Sequence, residues 1–108
     1  MERDEKAYQV IIASDANDRM YEHFEFLAQA SVGAVNRLLD GSLKDIRSLR
    51  TEPFRNPVYN RPYLPTGKYR YMLSNKRYRI IYQIVGEQVF IDDIQDCRQD
   101  DAKSILNK

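Results

Sequence analysis

The run Lys68-Tyr69-Arg70-Tyr71-Met72-Leu73-Ser74-Asn75-Lys76-Arg77-Tyr78-Arg79-Ile80-Ile81-Tyr82-Gln83-Ile84-Val85-Gly86-Glu87-Gln88-Val89-Phe90-Ile91-Asp92-Asp93-Ile94-Gln95-Asp96 decides the fold. It is dense in β-branched and aromatic residues, which suit a pleated, half-buried surface. Two short clusters interrupt it, Asn75-Lys76-Arg77 and Gly86-Glu87, each of hairpin-turn length. Three strands therefore follow one another: Lys68 to Ser74, Tyr78 to Val85, and Gln88 to about Asp96. Side chains alternate along each. Tyr78, Ile80, Tyr82 and Ile84 share one face. Tyr69, Tyr71 and Leu73 give the preceding strand an apolar face. The simplest assembly turns both faces toward a helical layer and leaves Lys68, Arg70 and Arg79 together on the open side.

Working outward, Tyr8-Gln9-Val10-Ile11-Ile12-Ala13 reads as a first strand. Ser14-Asp15 and Asp18 follow as helix-start signals. Met20, Phe24, Leu27 and Ala28 then recur at helical spacing. A second helical stripe runs through Val32, Val35, Leu39, Ser42/Leu43, Ile46 and Leu49. It keeps its phase across Gly41, so one helix is expected, weakened there by about 1 kcal/mol relative to Ala. The break between the helices falls near Ser31 to Gly33. Thr51 to Gly67 holds all four prolines and reads as loop. The order β-α-α-β-β-β predicts a single α+β domain over residues 1–108, a small antiparallel sheet with a helical hairpin on one face.

Composition narrows the function. Net charge is +1, so total charge singles out neither nucleic acid nor membrane as a partner. No apolar run approaches the roughly 18 residues of a membrane span, and the charged start has no signal-peptide pattern. A cytoplasmic protein that does not bind membranes is expected. The lone Cys97 allows no internal disulfide, and with the lone His23 it cannot build a four-ligand zinc site. No metal and no cofactor are expected. The average charge hides a segregation: Pro53 to Val85 carries seven Lys/Arg and no Asp or Glu, while both flanks are net acidic. Like charges on neighbouring strands repel, so this arrangement points to an anion-binding surface.

Other residues have plainer readings. Phe90-Ile91-Asp92-Asp93-Ile94 places one Asp on each face. A buried one is expected to pair with an arginine. Asp92 or Asp96 is the candidate proton acceptor beside the arginines. His23 reads as an ordinary helix histidine and Cys97 as a half-buried strand-end residue. Tyr69, Tyr71, Tyr78 and Tyr82 read as core under the helices. Tyr59 and Tyr63, in the basic loop with Arg61, have the residue type that stacks on single-stranded bases.

The element order, with Gly67-Lys68-Tyr69-Arg70, Tyr78-Arg79-Ile80-Ile81-Tyr82-Gln83-Ile84 and Asp96-Cys97-Arg98, resembles the RelE/ParE family of bacterial toxins, from about Tyr8 to Arg98. The resemblance implies the toxin of a type II toxin–antitoxin pair, held off by a protein antitoxin. RelE-like members cut messenger RNA on the ribosome without a metal, whereas ParE-like members poison DNA gyrase. Arg70, Arg79 and Arg98 match basic positions used by the RelE-like ribonucleases, where they would stabilise the transition-state phosphate. Lys68, Lys76, Arg77 and Arg61 would then grip nucleic-acid phosphates. Two positions depart from that pattern. Met72 stands where a second basic residue is common, and the segment after Arg98 lacks the His or Tyr that serves many of these nucleases. The resemblance favours a ribosome-dependent mRNA endoribonuclease, with gyrase inhibition as the alternative.

Overall fold

The structure, a computed structural model, describes residues 7–97. Its elements are β1 (Gln9–Ile12), α1 (Ser14–Ala28), α2 (Val32–Ser48), β2 (Val58–Tyr59), β3 (Tyr69–Ser74), β4 (Tyr78–Val85) and β5 (Gln88–Asp96). The five strands form one sheet in the order β1-β5-β4-β3-β2. The expected meander is present as the antiparallel β3-β4-β5. Two details differ from the sequence reading. β1 joins the edge of β5 in parallel, so the sheet is mixed. The proline-rich segment, read as loop, contributes β2, which pairs antiparallel with Tyr69 and Arg70. Two residues are too few to carry an alternation, so β2 is templated by the edge of β3.

The helices form the expected hairpin. α1 starts after Ala13, which offers no side-chain cap, with Asp15 in the first turn favouring the helix dipole. α2 is capped by Ser31, whose Oγ accepts from the Ala34 amide at 3.2 Å. It runs unbroken through Gly41. Its buried face is Leu38, Ser42 and, just beyond, Leu49, whereas Val32, Leu39 and Leu43 are exposed. The buried face thus keeps Ser42, Ile46 and Leu49 of the stripe read in the sequence but turns from Val32, Leu39 and Leu43 toward Leu38.

On that face Gly41 meets the β3-β4 turn. Asn75 and Lys76 both have positive φ, 56° and 58°, as a primed hairpin turn requires. The turn carries Asn75 against α2, where its Nδ2 donates to the Leu38 carbonyl at 3.2 Å. A Cβ on Gly41 would collide with the Asn75 amide. Gly41→Ala, which gains about 1 kcal/mol in an open helix, is therefore expected to lower the urea midpoint here. In an Asn75→Gly background the same substitution should raise it, the two sites coupling by more than about 1 kcal/mol.

The main core lies between helices and sheet, built on Met72, Tyr78, Ile80, Tyr82, Val89, Ile91 and Ile94 with Ala16, Leu38 and Leu49. Tyr82 also ties down the proline loop: its hydroxyl donates to the Pro53 carbonyl at 2.5 Å and accepts from Asn56 Nδ2 at 3.1 Å. A smaller cluster, Tyr59, Tyr69 and Ile81 with Leu64 and Tyr71, covers part of the opposite face.

This second cluster reverses the expected facing of β3. Arg70, Met72 and Ser74 pair with Tyr82, Ile80 and Tyr78, so they share the helix side. Tyr69, Tyr71 and Leu73 lie on the other side with Gln83, Ile81 and Arg79. Of the four tyrosines expected under the helices, only Tyr78 and Tyr82 are there. β3 carries bulky residues on both faces, so its own alternation does not choose; the register with β4 does.

Beyond Ile91, β1 no longer covers β5. α1 takes over that edge, and His23 Nε2 sits 2.8 Å from the Ile94 carbonyl. A carbonyl only accepts, so Nε2 carries the proton. Burial lowers the His23 pKa below its usual 6.5; the Ile94 bond opposes that shift and the Arg19 charge adds to it. The unfolded chain therefore binds this proton more readily. His23's contribution is full at pH values above the unfolded pKa. It falls, by at most about 1.4 kcal/mol per pH unit, as pH drops below 6.5 toward the lowered folded value. Urea midpoints between pH 7.5 and 5 should show this loss, and His23→Gln, which donates without titrating, should remove that part of the slope.

Candidate functional site

On the face away from the helices, Arg79 lies between two tyrosines. Its guanidinium carbon is 5.5 Å from the Tyr59 ring centre and 5.8 Å from that of Tyr71. Arg79 Nη1 donates to Gln95 Oε1 at 3.0 Å, and Gln95 Nε2 donates to the buried Asp93 at 3.2 Å. Cross-strand pairing of Arg79 with Gln95 sets this up. Arg61 approaches Tyr59 from the loop, 4.4 Å from the ring centre. Asn60 Oδ1 accepts from the Gly67 amide at 3.1 Å, which holds the loop over the sheet. Val58, Tyr59, Asn60, Arg61, Tyr71 and Arg79 line a cleft of about 290 Å³. Its described lining residues include two arginines and no carboxylate, a donor set of the kind that meets anions.

The other expected site residues are dispersed. Arg70 does not join Arg79. It lies on the opposite side of the sheet, where Nη1 donates to the carbonyls of Asn56 at 2.5 Å and Phe54 at 3.2 Å. That is an anchor for the proline loop. Its guanidinium also lies 5.3 Å from the centre of the Phe54 ring. Lys68 lies 5.3 Å from the centre of the Tyr69 ring, on the Arg79 face. Arg77 Nη2 donates to Asp96 Oδ2 at 3.0 Å and the guanidinium packs near Tyr78 and Phe26. Lys76 is exposed in the turn. Arg98 lies outside the described residues. Tyr59 is only 2% exposed and already has Arg61 over its ring, so it offers no platform for a base.

The acid/base candidates divide as well. Asp96 is buried and held by Arg77. Asp92 accepts from Gln83 Nε2 at 2.6 Å on the Arg79 face. Burial raises the Asp92 pKa, while the Gln83 bond and the Lys68 charge pull it back. Gln83 and Arg79 are four residues apart on β4, about 13 Å between Cα atoms. Between those positions lies Ile81, packed with Tyr59 and Tyr69. Asp92 and Arg79 thus mark the two ends of the open face. The arginine that meets a buried Asp comes from α1: Arg19 Nε lies 3.6 Å from Asp93 Oδ1. Gln95, Asn60 and Tyr71 were not read as site residues. Only the cross-strand register and the fold of the loop bring them to Arg79.

Among the described residues no group of three or more His, Cys, Asp or Glu could hold a metal ion. No helix among them is long and apolar enough to cross a membrane. The family model described as ParE toxin of type II toxin–antitoxin system, parDE, matches residues 10–101. No curated protein matches the chain.

Proposed function

The chain belongs to the ParE toxin family of type II toxin–antitoxin systems, and from that premise we propose that it disables DNA gyrase by binding and does not cut messenger RNA. The observation that carries this is the separation of Arg70 from Arg79 onto opposite sides of the sheet. Metal-free RNA cleavage needs a base at the 2′-hydroxyl, preorganised charge at the phosphate and an acid at the leaving oxygen, all within hydrogen-bond reach of one centre. Arg70 is spent on loop carbonyls and Asp96 on Arg77. Asp92 stands at the far end of the face from Arg79. A surface that binds a macromolecule requires no such convergence. The target places the activity in the bacterial cytoplasm, with an antitoxin to restrain it.

Two assays on the purified protein test this. In a gyrase reaction, supercoiling should fall as the toxin is added. In a translation reaction with ribosomes, primer extension should show no new messenger ends. Ribosome-dependent ends with supercoiling unimpaired would overturn the proposal and restore the endoribonuclease reading, with Arg79 and Asp92 as the first residues to substitute.

A further inference from the structure

A chain of polar contacts joins the helical layer to the open face of the sheet. β1 pairs with β5 only as far as Ile91. Beyond it α1 lies along the strand, and Arg19 Nε comes within 3.6 Å of Asp93 Oδ1. The Asp93 carboxylate, which has no exposed surface, also accepts from Gln95 Nε2 at 3.2 Å. Gln95 Oε1 in turn accepts from Arg79 Nη1 at 3.0 Å. One carboxylate thus serves two arginines, Arg19 directly and Arg79 through an amide. We propose that Asp93 and Gln95 are positioning residues for Arg79, and that through them the seating of α1 sets how firmly Arg79 is held between Tyr59 and Tyr71.

The donors and acceptors give the chain its direction. A carboxylate only accepts and a guanidinium only donates. The Gln95 amide between them therefore has one matched orientation, nitrogen toward Asp93 and oxygen toward Arg79. Charge on Asp93 polarises that amide and strengthens its bond to Arg79. The Arg19 charge, brought in by α1, opposes that polarisation. Seating Arg19 loosens the hold on Arg79, and withdrawing it tightens the hold. Asp93 is buried and Gln95 is 5% exposed, so solvent screens neither link strongly. Register fixes the placement: Gln95 stands opposite Arg79, and Asp93 opposite Ile81. The coupling is reciprocal. An anion that takes Arg79 from Gln95 leaves Asp93 to Arg19 and seats α1 more firmly. None of this depends on the identity of the target; it applies to any partner that meets Arg79 or displaces α1.

The test is nuclear magnetic resonance on the purified full-length chain. It reads the rate at which the Arg79 guanidinium rotates about its Nε–Cζ bond, with the backbone amide spectrum as the folding check. Nη1 must leave Gln95 for the group to turn. Gln95→Met keeps the side-chain length and removes both bonds, so it should speed rotation about tenfold, the scale of one hydrogen bond. Asp93→Asn keeps an acceptor and removes the charge, so it should speed rotation by less. Arg19→Met should slow rotation about twofold, the scale of cooperative strengthening along such a chain. Arg19→Gln should act in the same direction and decides the question if Arg19→Met fails the folding check. In a Gln95→Met background the Arg19 variants should leave the Arg79 rate unchanged.

A faster or unchanged Arg79 in the folded Arg19 variants would overturn the proposal, because a helix that merely supports packing loosens its surroundings when weakened. So would an Arg19 effect that persists in the Gln95→Met background, or a Gln95→Met chain whose Arg79 turns no faster. The readout contains neither gyrase nor ribosomes. A failure here therefore leaves the gyrase proposal standing, and a failure of the supercoiling assay leaves this one standing.

Discussion

Asp93→Ala is expected to cost about 3–5 kcal/mol, the scale on which removing one partner of a buried ion pair strands the other charge. Asp93 has no exposed side-chain surface, and Arg19, 3.6 Å away, is only 13% exposed. The carboxylate also accepts from the Ile94 amide at 2.8 Å and from Gln95 Nε2 at 3.2 Å. Its loss would take from Arg19 the carboxylate that stands 3.6 Å from its Nε. It would also release Gln95, and through Gln95 the position of Arg79. Denaturant unfolding measures the first effect. The double variant Arg19→Met/Asp93→Leu should recover most of the stability, because it leaves no buried charge unpaired. An Asp93→Ala loss within about 1 kcal/mol would mean that water reaches Arg19 and the pair is not a buried one.

Met72→Lys is the second large effect, again about 3–5 kcal/mol, since it puts an ammonium into an apolar core. Met72 is 7% exposed on the helix side, packed with Leu38 and Ile80 among others, and Ser48 Oγ lies 3.7 Å from its sulfur. The neighbouring Leu73→Lys, on the open face at 55% exposure, should change stability by no more than about 0.5 kcal/mol. The pair of variants has a functional meaning. RelE-like toxins commonly carry a base at the position of Met72. Here a cation at that position would enter the core, away from the Arg79 cleft. Thermal melts of both variants check this, and a stable Met72→Lys with a melting Leu73→Lys would restore the opposite facing of β3.

Much of the fold was legible in the sequence because its signals are local. The hairpins show in turn residues flanked by β-branched runs. The helical pair shows in 3.6-residue periodicity, and Gly41 did not interrupt it. A buried Asp on β5 paired with an arginine was also expected, although nothing local says that the arginine is Arg19 on α1. The place of His23 on the first helix was likewise legible, but not the strand edge it closes.

What the sequence by itself determined is the set of elements, their order, and a carboxylate-free basic stretch in a chain of this family's pattern. What only the tertiary structure decided is which residues of that stretch meet. Tyr69, Tyr71 and Leu73 are no less bulky than Arg70, Met72 and Ser74, so alternation in β3 left its facing open. Pairing Met72 with Ile80 under α2, and folding the proline loop with Tyr59 onto the other side, resolved it. Arg70 went to the loop carbonyls and Arg79 to the tyrosine cleft. Neighbours across a sheet come from register, and register is fixed by burying the two faces at once, which no single strand's sequence specifies.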